Sequence, residues 1–325
     1  MKKIKKLIIL FILLLTLQVN ATDWYVAKTG NDANDGSSWQ EAKLTISAMV
    51  TASSNGDTIY IGTGTYDEEV DLDTANKSIT LDGVDKTASI ARTGDGEKGI
   101  TLEDDTTIRN LTVSTTSKNG GTYGIYGTGK DSIAIENCDI FGGTDGILLA
   151  NCNQIFISNS SISSNYDGIN YQTSTEIHIA DSSISTDGTF GVSAANSAII
   201  GTSTGTCTNC SITSTRDDVS STPNYGIRHG GVLVFTNCLI TVSAGSNNTG
   251  DVKGIYSSAA AARTVADNCT ITTSTSGSGT AYDLYNSAGT IYIVDSSYDR
   301  NKVYGKIFEG SRQRRRYDLL DSSVR

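Results

Sequence analysis

The sequence predicts an all-β chain folded as a parallel solenoid, and three observations carry that reading. Residues 131–152 and 153–174 match at a period of 22: Ile133 over Ile155, Ile135 over Ile157, Asn137 over Asn159, Ile140 over Ile162, Asp145 over Asp167, Gly146 over Gly168 and Ile147 over Ile169. A fixed period of this size marks stacked repeats. Within each repeat apolar residues alternate with polar ones, which is the strand period and not the helical one. Asn, Asp, Gly and Ser turns separate the strands without any intervening helical segment, so the repeats stack as coils.

Taken from the start, residues 1–21 read as an export leader. Lys2, Lys3, Lys5 and Lys6 precede an apolar run from Leu7 to Leu17, and Val19-Asn20-Ala21 follows as a cleavage region. The run is shorter than the ~20 residues a membrane span needs. The expectation is a secreted bacterial protein, extracellular or in the cell envelope, with no membrane attachment after cleavage. Losing the leader removes four lysines and no acid, so the formal net charge goes from −10 to −14. That balance argues against nucleic acid and anionic membrane surfaces as partners and leaves polysaccharide open.

Residues 22–56 differ in kind and read as an N-terminal cap. Trp24 to Ala27 is a short strand, 31–38 an Asn/Asp/Gly loop, and Ser38-x-x-Glu41 a capping box opening a helix through about Ala52. Ala42, Ile46, Met49 and Val50 fall on one side of it. Placed before the first coil, an amphipathic helix closes the open end of a solenoid core. Asn31, Asp32, Asn34 and Asp35 offer oxygens of the kind calcium takes, though without EF-hand spacing; calcium is the candidate cofactor.

The order YVAKTGNDANDGSSW, a helix, GDTIYIGTGTY, then coils with Gly-Ile and Asn-x-x-Ile signatures resembles the secreted bacterial right-handed parallel β-helix proteins of the pectin lyase-like superfamily. The resemblance covers nearly all of the chain after the leader. It implies the right-handed sense, and a groove over one sheet where substrates lie. The superfamily includes lyases, hydrolases, epimerases and proteins without known chemistry, so the resemblance implies no single activity.

Residues 57–310 then read as about ten coils. A ladder position recurs at Asn110, Asn137, Asn159, Asp181, Asn209, Asn237, Asn268 and Asp295. Stacked amides hydrogen-bond along the axis; the row is read as inward-facing, so its sequons, such as Asn110-Leu-Thr, are expected to stay unglycosylated. Cys138, Cys210, Cys238 and Cys269 each follow a ladder position and are expected as a row of buried thiols, because parallel neighbours offer poor bridging geometry. Cys207 and Cys210 form C-x-x-C, but no second pair or suitable histidine accompanies them, and no metal site is expected there.

Loops of varying length emerge before each Gly-Ile strand, walling one face. Two outward rows lie on it: Tyr126, Leu148, Asn170, Ser193, Arg228, Tyr256 and Tyr285, beside Tyr123, Asp145, Asp167, Phe190, Tyr225, Lys253 and Tyr282. Seven of these 14 are aromatic against 7% of the chain, and flat rings suit pyranose faces. Tyr126, Asn170, Tyr225, Tyr256, Tyr285, Asp145 and Asp167 are therefore the candidate carbohydrate-binding residues. Three constellations could carry chemistry. Asp145 and Asp167 sit at identical places in adjacent coils, suiting shared-proton or nucleophile-and-acid work in a glycosidase or a calcium pair, although Asp-Gly is also a common turn pair. Lys253 and Arg228, with His229 and Tyr256 nearby, could act as base and carboxylate clamp on a uronate; the resemblance to chondroitinase B or alginate lyase kinds rests on inferred position alone. Arg216, Asp217 and Asp218 read as a charged loop tip.

Residues 311–325 carry Arg312, Arg314, Arg315, Arg316 and Arg325 and read as a basic tail or a short cap. The function expected is a secreted β-helix that binds polysaccharide along one sheet without catalysis. The alternative is a polysaccharide lyase using Lys253, Arg228 and His229 for β-elimination.

Overall fold

The computed structural model describes residues 21–173, 176–188, 196–218 and 221–311. Most of the leader, Phe190 and Ser193, and the arginine-rich tail from residue 312 lie outside them. Among the described residues the strands form three all-parallel sheets of twelve, ten and nine strands, joined in the order first sheet, nine-stranded sheet, ten-stranded sheet around each coil. In the coil at the centre of the repeat these are Asp131–Glu136, Asp139–Gly142 and Asp145–Ala150. The 22-residue register is realised directly: Ile133 pairs with Ile155, Ile135 with Ile157, Ile140 with Ile162 and Ile147 with Ile169.

Inside runs one continuous core. Ile133, Ile155 and Ile177 form one inward row, Ile135, Ile157 and Ile179 another, all at most 3% exposed. The glycine before each inward isoleucine of the ten-stranded sheet also faces the core. A Cβ on Gly146 would come within 2.6 Å of the Ile162 side chain and of the Gly168 carbonyl, so at this coil the corner between two sheets closes around glycine.

The ladder row needs one correction. Asn137, Asn159, Asn209, Asn237 and Asn268 are exposed, with φ between 49° and 55°. They occupy the left-handed corner conformation that asparagine tolerates, which turns the side chain outward while the next residue points in. The amides do stack along the axis: Asn137 Nδ2 donates to Asn110 Oδ1 at 2.7 Å, Asn237 to Asn209 at 3.0 Å and Asn268 to Asn237 at 2.9 Å. The cysteine row is buried as expected, and all six cysteines are free.

At the N-terminal end, Asp23–Val26 pairs with Thr58–Ile61, the first strand of the next coil. The cap helix, α1, is shorter than the sequence suggests and spans Ile46–Ala52, with Thr45 as its N-cap. The Ser38 box forms only a turn, the Glu41 amide donating to Ser38 Oγ at 3.2 Å. Glu68 from the following coil accepts from the Ile46 and Ser47 amides, both at 2.8 Å, which fixes the helix start there. Ile46, Met49 and Val50 cover the core as the lid reading requires. In the acidic loop, the Lys43 ammonium donates to the Asp32 and Asn34 carbonyls at 2.9 and 2.6 Å. Asp32 Oδ1 accepts from the Leu44 and Thr45 amides. The loop is thus closed by its own lysine and by Asp32.

Candidate carbohydrate-binding face

The outer face of the ten-stranded sheet carries the candidate residues in two parallel rows. Strand register sets the first as Lys98, Tyr123, Asp145, Asp167, Ser197, Tyr225, Lys253 and Tyr282. The second runs Tyr126, Leu148, Asn170, Ile200, Arg228, Tyr256, Tyr285 and Tyr304. One coil departs from the sequence reading. Its strand is Asn196–Gly201, with Ala198 in the glycine position and Ser197 and Ile200 facing out, in place of Phe190, Gly191 and Ser193. Ala198 is small enough for the corner, and it precedes ladder residue Asn209 by 11 positions, within the 11 to 14 of the other coils.

Tyrosines gather toward the C-terminal end. Tyr225 and Tyr256 stack at 5.2 Å, Tyr285 and Tyr304 at 4.4 Å, and Tyr256 meets Tyr285 edge-on at 5.5 Å. Lys253 is the hub of this group. Its ammonium lies 4.1 Å from the Tyr285 ring centre, 5.3 Å from Tyr256 and 5.5 Å from Tyr225, with Asp251 at 3.5 Å. Only 6% of Lys253 is exposed. Cation–π attraction of this kind holds rings in place. Arg228 lies over Tyr225 at 5.7 Å. At the other end Tyr123 stacks on Tyr126 at 5.6 Å.

Between the two aromatic groups sits the carboxyl pair. Asp145 and Asp167 occupy the same place on adjacent strands and are buried. Asn170 Nδ2 donates to Asp145 Oδ2 at 3.2 Å, and the Ser197 amide donates to Asp167 Oδ1 at 2.8 Å. Asp145 Oδ1 and Asn170 Oδ1 have no partner in the protein. Burial pushes the Asp145 carboxyl up to about 7. Burial, then the neighbouring Asp145 charge, hold Asp167 well above the usual carboxylate range, against the Ser197 amide and Arg228. Burial of both carboxyls side by side favours their protonated forms. Tyr166, immediately before Asp167, is half-buried against the pair; burial first and then the carboxylates raise it to about 12. Sequence reasoning passed over it because it precedes the strand and belongs to neither row.

Residues 76–271 match the family described as the right-handed β-helix region. The chain belongs to that family. No curated protein sequence matches it. Among solved structures it is similar to pectate lyase Pel9A, at 12% identity over 89% of this chain and 80% of that one, TM-score 0.52. XylC, solved in complex with xylose, matches at 10% identity over 89% and 70%, TM-score 0.52. At these identities the likeness shows the fold: a right-handed parallel β-helix of the pectin lyase-like kind.

On this β-helix the structure brings Tyr225, Tyr256, Tyr285, Lys253 and Arg228 together, and separately Asp145, Asp167 and Asn170. Tyr126 stands with Tyr123 beyond them. His229 does not join the face. It is 0% exposed on the inward side of its strand, its Nδ1 3.3 Å from the Tyr171 hydroxyl, and burial lowers it to about 4. Strand alternation puts it there, since its neighbour Arg228 faces out. Arg216 is not a loop tip either. It is 2% exposed, its Nε and Nη2 gripping both oxygens of Asp218 at 2.7 and 2.8 Å and its Nη1 donating to Asn196 at 2.9 Å. That fork anchors the loop base. One group of three metal-ligating side chains occurs among the described residues, and it lies in the core: Cys207, Cys210 and Cys238. The search along the chain for a second C-x-x-C misses it, because the third sulfur comes from the next coil.

Proposed function

We propose that this β-helix binds polysaccharide along the outer face of its ten-stranded sheet, with the tyrosine cluster from Tyr225 to Tyr304 carrying the sugar contacts. The observation behind this reading is the packed set of rings around Lys253. The lysine and Asp251 pin the rings, so little side-chain freedom is lost when a sugar docks, and pre-organisation of this sort favours binding. The same enclosure argues against Lys253 as the base of a lyase, since its ammonium faces three rings and a carboxylate.

The second reading is glycoside hydrolysis by Asp145 and Asp167, favoured by their common register and their raised carboxyl values. The two carboxyls would serve as acid and as base or nucleophile. Because both carboxyls are buried, a substrate would reach them only after the groups above them move.

Both readings meet one experiment. The purified protein is incubated with neutral and uronate-containing glycans, following binding by affinity electrophoresis, new reducing ends, and the ultraviolet absorbance of unsaturated uronate. Binding without product is expected. Tyr256→Ala and Tyr285→Ala each weaken it about tenfold, the value of one aromatic contact of ~1.4 kcal/mol. Product that vanishes in Asp167→Asn replaces binding by hydrolysis, and absorbance that vanishes in Lys253→Ala replaces it by elimination. Unchanged affinity in both tyrosine variants removes the proposal.

A further inference from the structure

One inward row of the first sheet changes character at a single level. Ile135, Ile157 and Ile179 fill it in successive coils; the next strand carries Cys207 there, and the one after it Phe235. The corner at Asn209, φ 55°, brings Cys210 back into the core beside Cys207. Cys238 stacks over Cys210 one coil on, the Leu239 amide donating to the Cys210 carbonyl at 2.9 Å. The three sulfurs lie within 4.8 Å of one another, each residue 1–3% exposed and none in a disulfide.

We propose that Cys207, Cys210 and Cys238 form a buried three-thiolate site for a single thiophilic d10 cation, with copper(I) as the ion that fits. The donors are all soft, which selects copper(I) over oxygen-seeking ions. Three sulfurs each about 2.3 Å from a shared ion in a plane lie about 4.0 Å apart, so only a small contraction closes the site. Structural zinc closes with four ligands, and the three-sulfur set offers one too few. Packing accounts for the thiols that follow ladder residues, where Ser160 and Ser182 also stand. It does not call for a thiol in the isoleucine row at the one level where two others converge. Each thiol that becomes a ligand releases its proton to solvent, so occupancy falls with falling pH. The inference is independent of the glycan reading.

The test uses the purified, reduced, metal-free protein titrated with copper(I) from a competing chelator, then desalted. Bound copper is counted by elemental analysis and free thiols by alkylation in the folded state and in denaturant. One equivalent retained, with a raised melting temperature, is expected. Cys207→Ser and Cys210→Ser should each retain none while keeping their circular dichroism, and Cys138→Ser and Cys269→Ser should retain the full equivalent. If serine at Cys207 prevents folding, Cys238→Ala serves in its place. No retained copper in the parent protein, or full retention in Cys207→Ser, overturns the proposal. Loss in Cys269→Ser overturns the three-coordinate site in favour of a four-thiolate one. A Cys207–Cys210 disulfide that persists under reductant excludes it.

Discussion

The coils before residue 180 and those after residue 196 share a backbone frame and differ inside. In the coils between residues 131 and 180 the two inward rows of the first sheet are isoleucine throughout, and Leu149 faces them from the ten-stranded sheet. In the later coils the same rows hold Gly205, Leu233 and Thr264, and Cys207, Phe235 and Ala266. Opposite them stand Gly201, His229, Ser257 and Asn286. Buried atoms of His229, Ser257, Thr264 and Asn286 have no partner in the protein. The stacked backbone and the asparagine corners continue unchanged through both halves. Register is therefore held by the ladder and the corners, and once they hold it the core row is free to take side chains that an isolated strand could not bury. The outer face divides in the same way, with the carboxyl pair over the earlier coils and the lysine–tyrosine cluster over the later ones.

That contrast can be broken by mutation. The largest effect is expected from Ile157→Ala, which empties a fully packed row and should lower stability by about 2–5 kcal/mol, read as a fall in the urea midpoint. A loss under about 1 kcal/mol, well below the range for such a deletion, would mean the isoleucine stack is not what holds the earlier coils.

The pH response sharpens it next, because the two faces of one sheet titrate with opposite sign. Asp145 and Asp167 have raised folded values, Asp145 to about 7 from 3.8. Their contribution is complete below the unfolded value and is lost as pH rises through about 7. His229 is lowered to about 4 from 6.5, so its contribution is complete above 6.5 and is lost as pH falls toward 4. The pair's decline in melting temperature should therefore run up to about pH 7, offset by His229 below 6.5, and Asp167→Asn should flatten it. An Asp167→Asn profile parallel to that of the parent would show the pair is not protonated in the fold.

The smallest effect is a gain. Thr264 is fully buried in an otherwise apolar row, and its hydroxyl has no protein partner. Thr264→Val should stabilise by about 1 kcal/mol, since it removes an unpaired polar group at constant shape. A loss of that size, measured by the same urea transition, would show that the hydroxyl is satisfied in solution.

Much of this was legible along the chain. The 22-residue match of Ile133 with Ile155 and Asp145 with Asp167 already implies their stacking, and the pairing of Gly with Ile already marks the strand that faces the loops. Three features were not legible. The outward turn of Asn137 and its fellows depends on a backbone angle, and one polar side chain looks the same in sequence whether it faces in or out. The strand at Asn196–Gly201 was misplaced because Gly191-Val imitates the signature, whereas the corner accepts Ala198. The Lys253 hub joins residues from three coils, and no local pattern reports such a group.

The sequence by itself determined the repeat, the strand period and the rows, because a solenoid maps one residue interval onto one vertical step. The tertiary structure alone decided which groups are enclosed. Whether Lys253 is capped by rings, Arg216 forked onto Asp218 or three sulfurs gathered depends on loop paths and on the handing of side chains between coils. Burial is a property of all the neighbours at once, and spacing along a chain does not encode it.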